Sequence, residues 1–165
     1  TIENYLDTRK YGDVMISLRP PADEWEITWR ENNRSHPLVK GWKFFGVGVV
    51  VKDCEIACEY FLNLGFSVEK EVHESKDLGV KFCHVKVGHM MFELIEPTKD
   101  SSVYLECLSA RGEGITDISF IVKDLQSETK DLEEKGADIL FSTNECALID
   151  ARKQGNTIIK LFKNA

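Results

Sequence analysis

The sequence contains no apolar run approaching the ~20 residues needed to span a bilayer, and Thr1 to Lys10 are polar and charged rather than signal-like. No helical membrane span is therefore expected, and a cytoplasmic location is. Positive charge is also scarce, because 21 Lys and Arg against 28 Asp and Glu leave a formal net charge of −7. Such a balance disfavours phosphate backbones and anionic lipid, so neither nucleic acid nor a membrane surface is an expected partner. The five cysteines, at 54, 58, 83, 107 and 146, are odd in number and scattered, which argues against a disulfide framework. Cys54 and Cys58 stand one helical turn apart with no matching Cys or His pair, so a structural zinc site is not expected. Reduced, mostly buried thiols are.

What the chain does have is a duplicated element. Gly46 to Cys54 (GVGVVVKDC) and Asp117 to Leu125 (DISFIVKDL) overlay without a gap and share Val-Lys-Asp. In the first, Phe45, Val47, Val49 and Val51 form one row and Gly46, Gly48 and Val50 the other. In the second, Ile118, Phe120 and Val122 oppose Asp117, Ser119 and Ile121. This two-residue period predicts strands with two distinct faces. Asp53 and Asp124 sit where an N-cap belongs, and amphipathic runs follow: Ile56, Tyr60, Phe61 and Leu64 before Gly65, and Leu125, Thr129 and Leu132 before Gly136.

Three strand-like segments come after each helix. The first set is Phe66 to His73, Val80 to Val87 and Met91 to Pro97; the second is Ala137 to Phe141, Ala147 to Lys153 and Thr157 to Lys163, with a tight turn at Gln154-Gly155-Asn156. Self-similarity at about 50 to 70 residues predicts two tandem βαβββ modules in an α+β fold, forming a curved mixed sheet around a cleft. The expected boundaries are an N-terminal extension and linker over 1–42, module one over 43–97, a connector over 98–113 and module two over 114–165. In the connector, Ser101 or Ser102 can cap a short helix bearing Val103, Leu105 and Leu108 that ends at Arg111-Gly112. In the extension, Val14 to Leu18 reads as a strand, and Glu24 to Arg30 places Trp25, Ile27 and Trp29 on one face. That face needs a partner: the main sheet, a second copy of the chain or a neighbouring domain. Glu31 to Lys40 reads as a linker, and Thr1, not an initiating residue, leaves open that the chain is part of a longer one.

The doubled plan, together with Phe92 to Pro97 (FELIEP), Arg111 to Ile115 (RGEGI) and Ile158 to Leu161 (IIKL), resembles the vicinal oxygen chelate, or glyoxalase/bleomycin resistance, superfamily, and within it the methylmalonyl-CoA epimerases. That resemblance implies four inward-facing ligands to a divalent ion, which fall here on Gly46, Glu93, Asp117 and Lys160. The epimerases imply His, Gln or Glu, His and Glu at those places. Glu93 alone matches, Gly46 has no donor atom, and Lys160 is a cation that would repel the ion. No metal and no other cofactor is therefore expected. Lys160 is expected to take the ion's electrostatic place between Glu93 and Asp117.

Strand parity turns Phe82, His84 and Lys86 toward the concave side and Val85 and Val87 toward the helix, which makes His84 the imidazole suited to proton transfer there. The expected catalytic set is Glu93, Asp117, Lys160 and His84. The expected substrate-binding set is Gly46, Gly48, Phe82, Ser119 and Phe162. The resemblance supports acid/base isomerisation, epimerisation or cyclisation of a small acyl thioester or oxo-acid; a non-catalytic small-molecule binder of the antibiotic-resistance type is the alternative. It also implies a possible homodimer, and the segment between Phe141 and Ala147 is shorter than the resemblance leads one to expect.

Overall fold

The computed structural model describes residues 4–18 and 41–163. The expected Trp-bearing strand and the linker lie outside the described residues.

Strands β1 (Asn4–Thr8) and β2 (Val14–Leu18) form an antiparallel hairpin. The polar composition of β1 hid it from sequence reading. Here the pairing to β2 stabilises it, with the buried Thr8 hydroxyl donating to the Val14 carbonyl at 2.6 Å. Val14 and Ile16 of the hairpin join the first core cluster.

The eight remaining strands make one mixed sheet. Module one comprises β3 (Lys43–Val50), α1 (Cys54–Asn63), β4 (Ser67–Ser75), β5 (Val80–Val87) and β6 (Met90–Pro97). Helix α2 (Val103–Arg111) connects it to module two: β7 (Gly114–Val122), α3 (Leu125–Glu134), β8 (Ile139–Ser142), β9 (Cys146–Ala151), α4 (Arg152–Gly155) and β10 (Thr157–Lys163). The strand order β4-β5-β6-β3-β7-β10-β9-β8 is symmetric about the antiparallel β3–β7 pair. Each first strand also runs parallel to its own module's last, β3 to β6 and β7 to β10.

Both expected caps form, with Asp53 accepting from the Ile56 N–H and Asp124 from the Ser127 N–H. The buried stripe of α1 differs from expectation: it is Cys54, Ala57 and Phe61, while Ile56 is 48% exposed and Leu64 40%. Small residues let α1 lie close to the sheet, where Val49, Val51, Val85 and Leu94 meet it. In module two Leu125 and Thr129 are buried as expected. The expected run from Ala147 to Lys153 is a shorter strand followed by the one-turn α4, which ends on Asn156 in the left-handed region (φ 54°). Asn adopts that conformation more readily than most residues.

Candidate active site

The face of the sheet away from α1 and α3 carries the polar residues. Alternation along β10 buries Leu161 against α3's side and sends Ile158, Lys160 and Phe162 to the inner face. On β6, Phe92 and Leu94 pack on α1's side and Glu93 points inward; on β7, Phe120 and Val122 turn outward and Asp117 and Ser119 inward. The register then converges these side chains, because Gly48 lies between Glu93 of β6 and Asp117 of β7, and Ser119 lies beside Lys160.

The result is a buried charged cluster. Lys160, 1% exposed, donates from Nζ to Glu93 Oε1 at 2.6 Å. Burial alone would lower the ammonium's pKa, but the charges of Glu93 and Asp117 and the Glu93 hydrogen bond more than offset it, so the pKa is raised and Lys160 stays cationic. Burial pushes the Asp117 carboxyl up to about 6, against the opposing charge of Lys160 and the Ser119 hydroxyl that donates to Oδ1 at 2.8 Å. The imidazole of His84 faces Glu93, Nε2 to Oε2 4.0 Å. Burial first, opposed by Glu93 and reinforced by Lys160, lowers its pKa and keeps the ring neutral at pH 7.

Both glycines of β3 are dictated by close approach. A Cβ on Gly48 would stand 1.8 Å from Asp117 Oδ2, and one on Gly46 would stand 1.9 Å from the Met91 carbonyl oxygen. Gly48 therefore faces the cluster, whereas Gly46 abuts the backbone of β6. The strand breaks register between Phe44 and Gly46, and this bulge turns Phe45 away from the row with Val47 and Val49 that alternation assigned to it. Instead Phe45 meets His84 and Phe162, each at 5.5 Å between ring centroids.

Helix α2 supplies a group that sequence reading missed. Its buried residues are Tyr104 and Cys107, packed with Val50, Ile95, Leu148 and Ile158 of the inner face, rather than the expected Leu105. The Tyr104 hydroxyl neighbours the Asp117 carboxyl, but neither Oη nor Oδ2 makes a well-aligned hydrogen bond. Burial, followed by the charges of Asp117 and Glu93, holds the phenol well above its ordinary pKa. Val103, Leu105 and Leu108 gave an equally apolar pattern, so only the docking of α2 identifies Tyr104. Ser102 occupies the N-cap position, but its side chain makes no capping bond.

The donor set does not suit a divalent metal. Of the four places, one is a glycine whose Cβ direction is filled by backbone and another is an ammonium bonded to the remaining family-type ligand. Elsewhere among the described residues, Asp53, Glu55 and Glu96 bring carboxylate oxygens within 4.8 Å of one another. Those groups already cap Ile56, pair with Lys81 and accept from the Cys54 N–H. A surface cavity of about 510 Å³, lined by residues including Lys123, Gln126, Asn144 and Lys163, lies at the start of α3 and holds none of the clustered residues.

Comparison with known proteins agrees with this architecture. The family model of the glyoxalase/bleomycin resistance protein/dioxygenase superfamily matches residues 46–147. Among solved structures, methylmalonyl-CoA epimerase from Mycobacterium tuberculosis is 26% identical over 79% of this chain and 92% of its own, with a TM-score of 0.65. A methylmalonyl-CoA epimerase in complex with methylmalonyl-CoA and NH4+ is 21% identical over 75% of this chain and 95% of its own (TM-score 0.64). A Streptomyces coelicolor methylmalonyl-CoA epimerase variant in complex with 2-nitronate-propionyl-CoA is likewise 21% identical, over 74% and 97% (TM-score 0.64). A search of curated protein sequences finds no significant match. Among the described residues no helix is long and apolar enough to cross a membrane.

Proposed function

We propose that this chain, which belongs to the glyoxalase/bleomycin resistance protein/dioxygenase superfamily, is a metal-independent acid/base catalyst that moves a proton at the carbon next to a carbonyl in a small acyl thioester or oxo-acid. Epimerisation, isomerisation and cyclisation all begin with that step. The observation that carries the reading is the Lys160–Glu93 ion pair at 2.6 Å, set on the inner face beside an imidazole whose Nε2 has no partner.

Each group has a role under this reading. Neutral His84 Nε2 accepts the proton, the electron pair of the broken C–H bond moves to the carbonyl oxygen, and return of the proton to either face of the carbon completes the turnover. Lys160 is a fixed positive charge in a low-dielectric site, oriented by Glu93, and stabilises the developing enolate without titrating. Asp117, with its carboxyl near 6, can exchange a proton close to neutral pH. Gly46, Gly48, Phe82, Ser119 and Phe162 shape the surroundings. The acyl-CoA ligands of the epimerases bring thioesters to the front of the substrate list.

The test is incubation of the protein with propionyl-CoA and with 2-oxobutyrate in deuterated buffer, read by proton NMR. Enzyme-dependent loss of the signal at the carbon next to the carbonyl, abolished in Glu93→Gln and His84→Gln, is the expected result; no exchange above the buffer rate overturns it. One observation favours the second reading, a binder without chemistry. Asp117 and Lys160 are 0% and 1% exposed, so a ligand reaches them only if the site opens. Line broadening of ligand signals without exchange would support that binder.

A further inference from the structure

Above the ion pair, four partly buried rings stand in a continuous row. Phe82 to His84, His84 to Phe45 and Phe45 to Phe162 are each 5.5 Å between centroids. Rings that served only as core filling would be buried like Phe61 on the other face, which is 0% exposed. Here the charged groups are buried and the rings reach water. Phe45 joins the row only because β3 bulges at that residue, and bulges are a recurrent device for re-aiming a side chain beside a site.

Two further observations define what would sit on the row. His84 Nε2 and Glu93 Oε2 are both buried and unpartnered and lie 4.0 Å apart, too far for a direct hydrogen bond. Under the reading above Nε2 is the ring nitrogen without a proton, so its lone pair is left for the C–H bond it deprotonates. At the ends of the row, Lys70 Nζ stands 4.9 Å from the Phe82 centroid and Lys160 Nζ 4.6 Å from that of Phe162. These ammonium groups disfavour a cationic ligand.

We propose that the row Phe82, His84, Phe45 and Phe162 is a subsite for a planar aromatic acyl group, held with the carbon next to its carbonyl at the His84 Nε2 that accepts the proton. The inference rests on the reading above for the site and the thioester, and adds the class of acyl chain. It predicts discrimination by flatness and π character and not by size alone, since offset or edge-to-face ring contacts contribute beyond area burial.

Titration calorimetry with phenylacetyl-CoA, cyclohexylacetyl-CoA and propionyl-CoA tests it, because the first two differ little in bulk and greatly in planarity. Phenylacetyl-CoA is expected to bind at least about tenfold more tightly than cyclohexylacetyl-CoA, a ratio equivalent to ~1.4 kcal/mol. Phe45→Leu and Phe162→Leu are each expected to bring that ratio to within about twofold. Equal affinity of the wild-type protein for the two ring compounds, or binding of neither, overturns the proposal whether or not the variants fold. So does a preference that survives in both folded variants. The two readings fail separately: aromatic preference without deuterium exchange keeps the subsite and removes the catalysis, whereas exchange on propionyl-CoA without aromatic preference does the reverse.

Discussion

Gly48 and Asp117 face each other across the β3–β7 pair so closely that one added methyl on Gly48 would lie 1.8 Å from Asp117 Oδ2. The carboxylate cannot swing freely aside, because the Ser119 hydroxyl holds its other oxygen. The glycine is thus the complement of an inward acid. Gly48→Ala is expected to destabilise the fold by about 1–3 kcal/mol, the overpacking range. In an Asp117→Ala background the same change should cost under about 1 kcal/mol, since the clashing group is gone. Urea unfolding of the four proteins gives the coupling; additive effects would show that the two residues do not constrain each other.

The Lys160–Glu93 pair is predicted to behave as a buried unit. Lys160→Met leaves a carboxylate, 3% exposed, without its counter-charge and is expected to cost about 3–5 kcal/mol. Combining it with Glu93→Leu should recover most of that loss, because the desolvated charge goes as well. If the double variant is as unstable as the single one, the ammonium is stabilising something other than Glu93.

Asp117 makes stability depend on pH in a direction opposite to the usual salt-bridged acid. Its folded-state pKa is raised from 3.8 to about 6, so between those values the folded protein holds a proton that the unfolded chain has lost. The contribution is full below 3.8 and is lost as pH rises through about 6. Relative to Asp117→Asn, the wild type should therefore lose stability from pH 4 to pH 7, with a slope of at most ~1.4 kcal/mol per unit. His84, whose pKa is lowered, acts in the other sense: its contribution is present above the ordinary histidine pKa and lost as pH falls through the lower folded value. Because His84 is present in both proteins, the difference between them isolates Asp117. A flat difference across this range would place the Asp117 pKa near its ordinary value.

Divalent ions are expected to leave the protein unchanged. A ligand that binds only the folded state at 100 times its dissociation constant adds about 2.7 kcal/mol, readily visible as a rise in melting temperature. Millimolar zinc, cobalt or manganese should give no such rise, because two of the four family positions carry a glycine and an ammonium. A cobalt-dependent increase that vanishes in Glu93→Gln would show that the cluster rearranges to accept an ion.

Much of this site was legible in the sequence because strands obey a two-residue period. The repeated Val-Lys-Asp fixed the ends of β3 and β7, the family resemblance turned Glu93, Asp117 and Lys160 inward, and parity set Ser119 in the row of Asp117 and placed Phe82 and His84 on the concave face. What stayed hidden were departures from regularity. The bulge shifts one residue and moves Phe45 to the other face, which no apolar pattern announces. Tyr104 depends on how α2 docks, and on α1 the apolar Ile56 and Leu64 were stronger signals than the small Cys54 and Ala57 that pack. In β1 the inward row is Leu6 and the polar Thr8, alternating with exposed Tyr5 and Asp7, which is too little apolar character to announce a strand.

The most direct test of the central claim is the rate of solvent deuterium incorporation into an acyl-CoA by protein freed of metal with a strong chelator. The account predicts the same rate before and after chelation, no gain on adding cobalt, and a loss of at least about a hundredfold in Lys160→Met if that variant is folded at the assay temperature, a range consistent with removing one electrostatic stabiliser. Exchange that disappears on chelation and returns with cobalt, or that continues undiminished in Lys160→Met, would contradict it.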